Sequence, residues 1–216
     1  SKMVDADGNQ YETVQIGTQC WTKTNLRVAA GTRANVYSAT DPYYYVDTTL
    51  DVAASGYFYN WQAAKLTCPN GWSLPTREDF QRMMDYVEAQ GATTDCYAPA
   101  LASTTGWTAQ ENTNTCYPSS NPTANNASGF GAMPLGYRSL SGGNATAHHN
   151  GIYALLWTST ESSSTGSSVW YLKNDLGYAW FSTYVRQAAN PVRCMREVPA
   201  EEASINLHDS LATVAF

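Results

Sequence analysis

The sequence predicts an α+β domain, and three observations carry that prediction. The chain opens with a pattern of two short strands, holds one clear amphipathic helix between residues 77 and 90, and returns to strand-like runs after residue 150. Between helix and strands lies a long stretch of Thr, Asn, Ser and Gly. No internal repeat is visible, and no linker precedes residue 198, so residues 1–198 read as one domain and 199–216 as a C-terminal extension.

The elements follow in order. In "DADGNQYETVQIGTQCWTKTNL" the turn residues Asp7, Gly8 and Asn9 precede Tyr11, Val14 and Ile16; Gly17 then separates these from Cys20 and Trp21. This is a hairpin signal. Residues 31–55 read as irregular. "GYFYNWQAAKLTC" puts Phe58, Trp61, Ala64 and Lys65 at helical spacing, and predicts a short helix ending before Pro69. "LPTREDFQRMMDYVEAQG" is the strongest helix. Thr76 is a good N-cap with Asp79 three residues on, Phe80, Met83, Met84 and Val87 form one apolar stripe, and Gly91 ends it. Residues 92–150 read as long ordered loops. Strands are expected at "GIYALLWTST", "SVWYLKND", "GYAWFSTYVRQ" and "PVRCMRE", with "TSTESSSTGSS" as a surface loop between two of them. The extension carries Ile205, Leu207, Leu211, Val214 and Phe216, in which an extra strand or a segment for a partner can be read.

Composition narrows the function. Of 216 residues 43% are apolar and 14% charged, with a net charge of -6. Binding nucleic acid needs clustered Lys and Arg, and none is present. No apolar run is long enough to span a bilayer. The opening "SKMVDADGNQ" is not a signal peptide; a mature or trimmed chain opens this way, so it says nothing of location. The five cysteines, Cys20, Cys68, Cys96, Cys116 and Cys194, form no CxxC pair, and His148, His149 and His208 do not complete a zinc set. They read either as buried free thiols or as two disulfides with one thiol left over, the second fitting an exported protein.

Catalytic and cofactor signatures are missing. The glycine-rich "SGFGAMPLGYRSLSGG" (Ser128–Gly143) contains a proline and has no helix behind it, so it cannot cradle a phosphate as nucleotide loops do. Its glycines read as turns and Arg138 as a structural donor to backbone carbonyls. GxSxG and HExxH do not occur. His148 and His149, adjacent on a strand, would point to opposite faces and share no metal. Glu78-Asp79 sits in a helix first turn and Glu201-Glu202 in the extension, so neither is a carboxylate pair across a cleft. No catalytic residue, metal or cofactor is expected.

One resemblance covers roughly residues 4–197. "DADGNQYETVQIGTQCWTKTNL", "FYNWQAA", "CPNGWSLPTREDF", "TGW", "SGFGAMPLGYR", "LWTSTE" and "NPVRCMRE" occur in this order. The set resembles the Fibrobacter succinogenes major paralogous domain of exported and surface proteins in Bacteroidetes and Fibrobacteres. That family is similar to C-type-lectin-like domains and to variable ligand-binding proteins diversified by retroelements. The resemblance implies a C-type-lectin-like fold with two helices, a small twisted antiparallel sheet and long ordered loops. It also implies a display of binding residues on the last strands. The "EPN" and "WND" triplets of calcium-dependent animal lectins do not occur. Formylglycine-generating enzymes share the fold but need two reactive cysteines, which makes that activity a remote alternative.

In a lectin-like fold the chain ends return to each other, which implies a Cys68–Cys194 bridge. Cys96–Cys116 would then close a polar segment, leaving Cys20 as a buried thiol. The expectation for function is a non-catalytic cell-surface module binding a glycan or protein. The candidate face is Tyr171, Asn174, Tyr178, Trp180, Tyr184 and Arg186, because tyrosine and tryptophan give large contact area at low entropic cost. The alternative is a structural or tip subunit of a surface fibre, docking through residues 199–216.

Overall fold

The computed structural model describes residues 1–33, 38–91, 94–111, 114–141 and 144–199. The extension from residue 200 onward, with its expected docking strand, lies outside the described residues.

The opening hairpin forms where its turn residues put it. β2 (Gln10–Ile16) and β3 (Gln19–Thr22) pair antiparallel, joined through Gly17 at φ 60°, a left-handed value that suits glycine. β1 (Lys2–Val4) adds to one edge, and the last described strand, β12 (Met195–Glu197), adds to the other. The order is β1-β2-β3-β12, so the two ends of the described chain meet in one sheet.

The described residues between 31 and 55 are more ordered than their composition suggests. β4 (Thr32–Arg33), β5 (Tyr43–Tyr45) and β6 (Phe58–Tyr59) form a small mixed sheet, and α1 (Val52–Ser55) makes one turn. The expected helix from Phe58 shrinks to α2 (Trp61–Ala64). β5 claims Phe58 and Tyr59 as strand partners, and Asn60 starts the helix after them. The Asn60 side-chain oxygen accepts from Ala63 N and from Tyr43 N, both at 3.0 Å, so one amide caps the helix and ties it to β5.

α3 (Arg77–Ala89) is the helix that its periodicity predicts, with Thr76 and Asp79 closing a full capping box. Its stripe of Phe80, Met83, Met84 and Val87 is buried. Full burial of each such side chain is worth about 1.5–3 kcal/mol. Among the described residues there are four α-helices instead of two, because α1 and a further single turn, α4 (Ala98–Leu101), have too few residues for a period to show. The stretch expected as loop over 92–150 also holds a hairpin, β7 (Tyr137–Ser141) with β8 (Asn144–His148).

The central sheet is β9 (Tyr153–Glu161), β10 (Gly166–Lys173) and β11 (Trp180–Val185), antiparallel in the order β11-β10-β9. Side chains alternate across it, and both faces are largely covered. Ala154, Leu156, Trp170, Leu172 and Phe181 meet α3 and Trp21 in one core. There the Trp170 ring stacks on Phe80 at 5.1 Å and meets Phe130 edge-on at 5.6 Å. Leu155, Trp157 and Val169 face the other way into a second core with Tyr59, Trp61 and Val192.

Both expected disulfides are present. Cys68–Cys194 ties the segment after α2 to the approach to β12, and Cys96–Cys116 closes the segment that contains α4. Cys20 is the remaining thiol and is buried. This pattern is the one expected of an oxidising compartment. Among the described residues no helix is long and apolar enough to cross a membrane.

Candidate functional site

Where the second core reaches the surface, its sheet face ends in tyrosines. Tyr153 begins β9, Tyr171 lies on β10 directly beside Leu155, and Tyr184 lies on β11 beside Ser167. The period of two puts all three on one face. Each ring is half-buried against the core.

The β7–β8 hairpin supplies the rest. Tyr137 meets Tyr184 edge-on at 5.1 Å, and His148 stacks on Tyr137 at 4.6 Å. His149 leaves the strand at φ 62°, which turns its ring back to lie 5.9 Å from Tyr137 and 5.0 Å from Tyr153. Tyr153 in turn meets Tyr171 at 5.6 Å. The rings therefore form an unbroken chain from Tyr184 through Tyr137, His149 and Tyr153 to Tyr171. The adjacent histidines were expected on opposite faces; the left-handed turn at His149 brings both against Tyr137. Burial, then neighbouring tyrosines, push the Tyr184 hydroxyl up to about 12 and raise Tyr171 in the same direction.

A buried arginine holds this hairpin in place. Alternation along β7 points Tyr137 outward and Arg138 inward. The Arg138 Nε donates to Asp47 at 2.9 Å, and its Nη1 donates to the carbonyls of Leu135 and Tyr137 and to Asn150 Oδ1. Its guanidinium also lies 4.2 Å from the Phe58 ring centroid. The expected structural role is thus observed. Gly136, at φ 59°, completes the join: a Cβ there would sit 1.8 Å from the His148 carbonyl oxygen, so no other residue fits.

The six residues chosen from sequence separate into three groups. Tyr171 and Tyr184 belong to the ring chain. Trp180 pairs in register with Tyr171, is 52% exposed and extends the face at the start of β11; Tyr178, just before the strand, meets it edge-on at 6.2 Å. Tyr178 also packs on the edge of the first core. Arg186 and Asn174 are committed to the fold. The Arg186 guanidinium lies over Trp61 at 4.4 Å, with Nη2 donating to Glu161 and to the Ser163 carbonyl. Asn174 is corrected out of the face. It is 1% exposed, its amide donates to the Thr108 carbonyl, and its own carbonyl accepts from Ser119. Its position is in step with buried Leu172, on the side of the strand opposite Tyr171 and Lys173.

Tyr137, His149 and Tyr153 are absent from the sequence-based choice. Their signal is faint but present. "YRSLS" alternates, "NATAH" follows, and the Gly142-Gly143 pair between them is a hairpin signature.

Charges at the face cancel, since Lys173 Nζ lies 2.9 Å from the Asp175 carboxylate. A cleft of about 640 Å³ also opens between α3 and the segment closed by Cys96–Cys116, lined by Ile16, Tyr86, Val87, Pro99 and Ala100. It brings together no charged group. No set of three His, Cys, Asp or Glu side chains converges for a metal among the described residues.

A family model described as the Fibrobacter succinogenes major domain matches residues 14–196. No curated protein and no solved structure matches the chain.

Proposed function

The chain belongs to the Fibrobacter succinogenes major domain family, and from that premise we propose that it is a non-catalytic ligand-binding module of the cell surface, binding through the aromatic face of its central sheet. The observation that carries this reading is the continuous chain of half-exposed rings from Tyr184 to Tyr171 on a frame closed by two disulfides. Rigid, partly buried tyrosines offer contact area without much entropy to lose on binding. A patch of aromatic groups left at a surface marks an interaction site.

We read the architecture as C-type-lectin-like. Three features support this: the first and last described strands share one sheet, a long-range disulfide joins residue 68 to 194, and the late strands display the candidate face. The cysteines support a non-catalytic reading over a thiol oxidase, because four are bridged and the fifth is buried. The bridges also support an exported location.

The test is capture. The immobilised chain is challenged with a glycan array and with solubilised host and bacterial surface proteins. Tyr171→Ala and Trp180→Ala are expected to weaken whatever is captured at least tenfold, while Leu66→Ala, at an exposed turn residue outside the ring chain, leaves it unchanged. Capture that survives both face substitutions would sink the assignment of this face.

A further inference from the structure

Some tyrosines of this protein use their hydroxyls inside the fold and others do not. Tyr11, Tyr43, Tyr59 and Tyr97 are buried, and each donates inside the fold: to Asp5, to the Gln187 carbonyl, to the Val28 carbonyl and to the Ala179 carbonyl. Tyr137, Tyr153, Tyr171 and Tyr184 are also packed through their rings against the second core. Their hydroxyls, however, make no hydrogen bond to any described residue. Phenylalanine would supply the same packing. The hydroxyl on each of the four is therefore surplus to the fold, and all four lie on one face.

Resting on the binding-face reading above, we infer that the ligand is a neutral oligosaccharide. Its C–H faces lie on the tyrosine rings, and its hydroxyls exchange hydrogen bonds with the four phenols. A sugar ring alternates apolar C–H patches with hydroxyls that both donate and accept. A phenol likewise pairs an apolar ring with a group that donates and accepts. The face is matched to that alternation. Neutrality follows from the charge, since Lys173 and Asp175 cancel. A sulfated or uronic chain would find no surplus cation among these residues. The chemistry needs no bridging metal.

The experiment uses the full chain against an array of neutral gluco-, xylo- and manno-oligosaccharides printed beside sulfated and uronic ones, with hits measured by calorimetry in the presence of a chelator. Neutral members are expected to bind. Tyr153→Phe, Tyr171→Phe and Tyr184→Phe should each weaken binding about 3- to 10-fold while melting with the wild type, and Tyr171→Ala should weaken it further. A merely structural tyrosine would show the reverse, with the Phe variants binding as well as the wild type, and that result overturns the inference. Binding confined to acidic oligosaccharides, or no neutral member bound at all, overturns it too. Capture of a surface protein that is lost in Tyr171→Ala, with no oligosaccharide bound, overturns the sugar and leaves the face standing.

Discussion

Arg138 shows how one side chain can position a site without belonging to it. Its guanidinium bonds Asp47, the Leu135 and Tyr137 carbonyls and Asn150, and so pins the hairpin that carries Tyr137 and the turn that carries His149. Burial alone would raise the Asp47 carboxyl, but hydrogen bonds from Thr49 and Arg138 outweigh it and hold the group below its ordinary value. A carboxyl lowered in the fold stabilises above its unfolded pKa of about 3.9, and that contribution is lost as pH falls through the lowered folded value. Asp47→Asn is expected to lower the melting temperature at pH 7 and to flatten its fall below about pH 4, as thermal unfolding followed across pH would show. Arg193, buried and closer to the chain's end, does the same work with neutral partners. It donates to Asn25 and to the carbonyls of Thr22, Phe130 and Gly131. Burial pushes it down to about 9, still above neutrality, so it remains charged at pH 7.

Elements differ in how much of their stability is their own. α3 has a capping box, a continuous stripe and 13 residues, so it is legible locally and supported locally. Thr76→Ala removes the cap and is expected to cost about 1 kcal/mol in denaturant unfolding, with binding at the aromatic face untouched. The segment around α4 is the opposite case. One helical turn cannot stand alone, and Cys96–Cys116 closes a separation of 20 residues around it. The β7–β8 hairpin is intermediate: its alternation is readable, yet a two-stranded ribbon is marginal by itself. It is held by Arg138 and by bonds to Ala189 on both sides of the Arg138 peptide, at 2.8 and 2.9 Å.

Across the whole molecule the long-range tie is Cys68–Cys194, which closes a separation of 126 residues. It lies beside the second core, on which the tyrosines of the face also pack. Replacing both cysteines with alanine is expected to lower stability by about 2–5 kcal/mol, read from denaturant midpoints against the wild type. The loss should fall on the whole cooperative unit, because β12, β3 and the central sheet share contacts on both sides of the bridge. A melt that lost only a minor, separate transition would show instead that the bridge staples a local segment.

By itself the sequence determined the α+β class, the opening hairpin, the boundaries of α3 and the late strands. These are written in short-range terms: a period of two or 3.6, a cap three residues from its partner, a glycine at a turn. The order of its motifs also carried the family. Tertiary structure alone decided which aromatic residues meet. Tyr171 and Tyr184 are half-exposed because the chain covers the rest of their sheet face, and Asn174 is buried because Thr108 and Ser119 reach it from far along the sequence. Tyr137 joins Tyr184 across 47 positions because Arg138 anchors its hairpin on Asp47. Periodicity states which side chains share a face. Whether that face is covered or left to solvent depends on contacts between residues distant in the chain, and no local pattern encodes them.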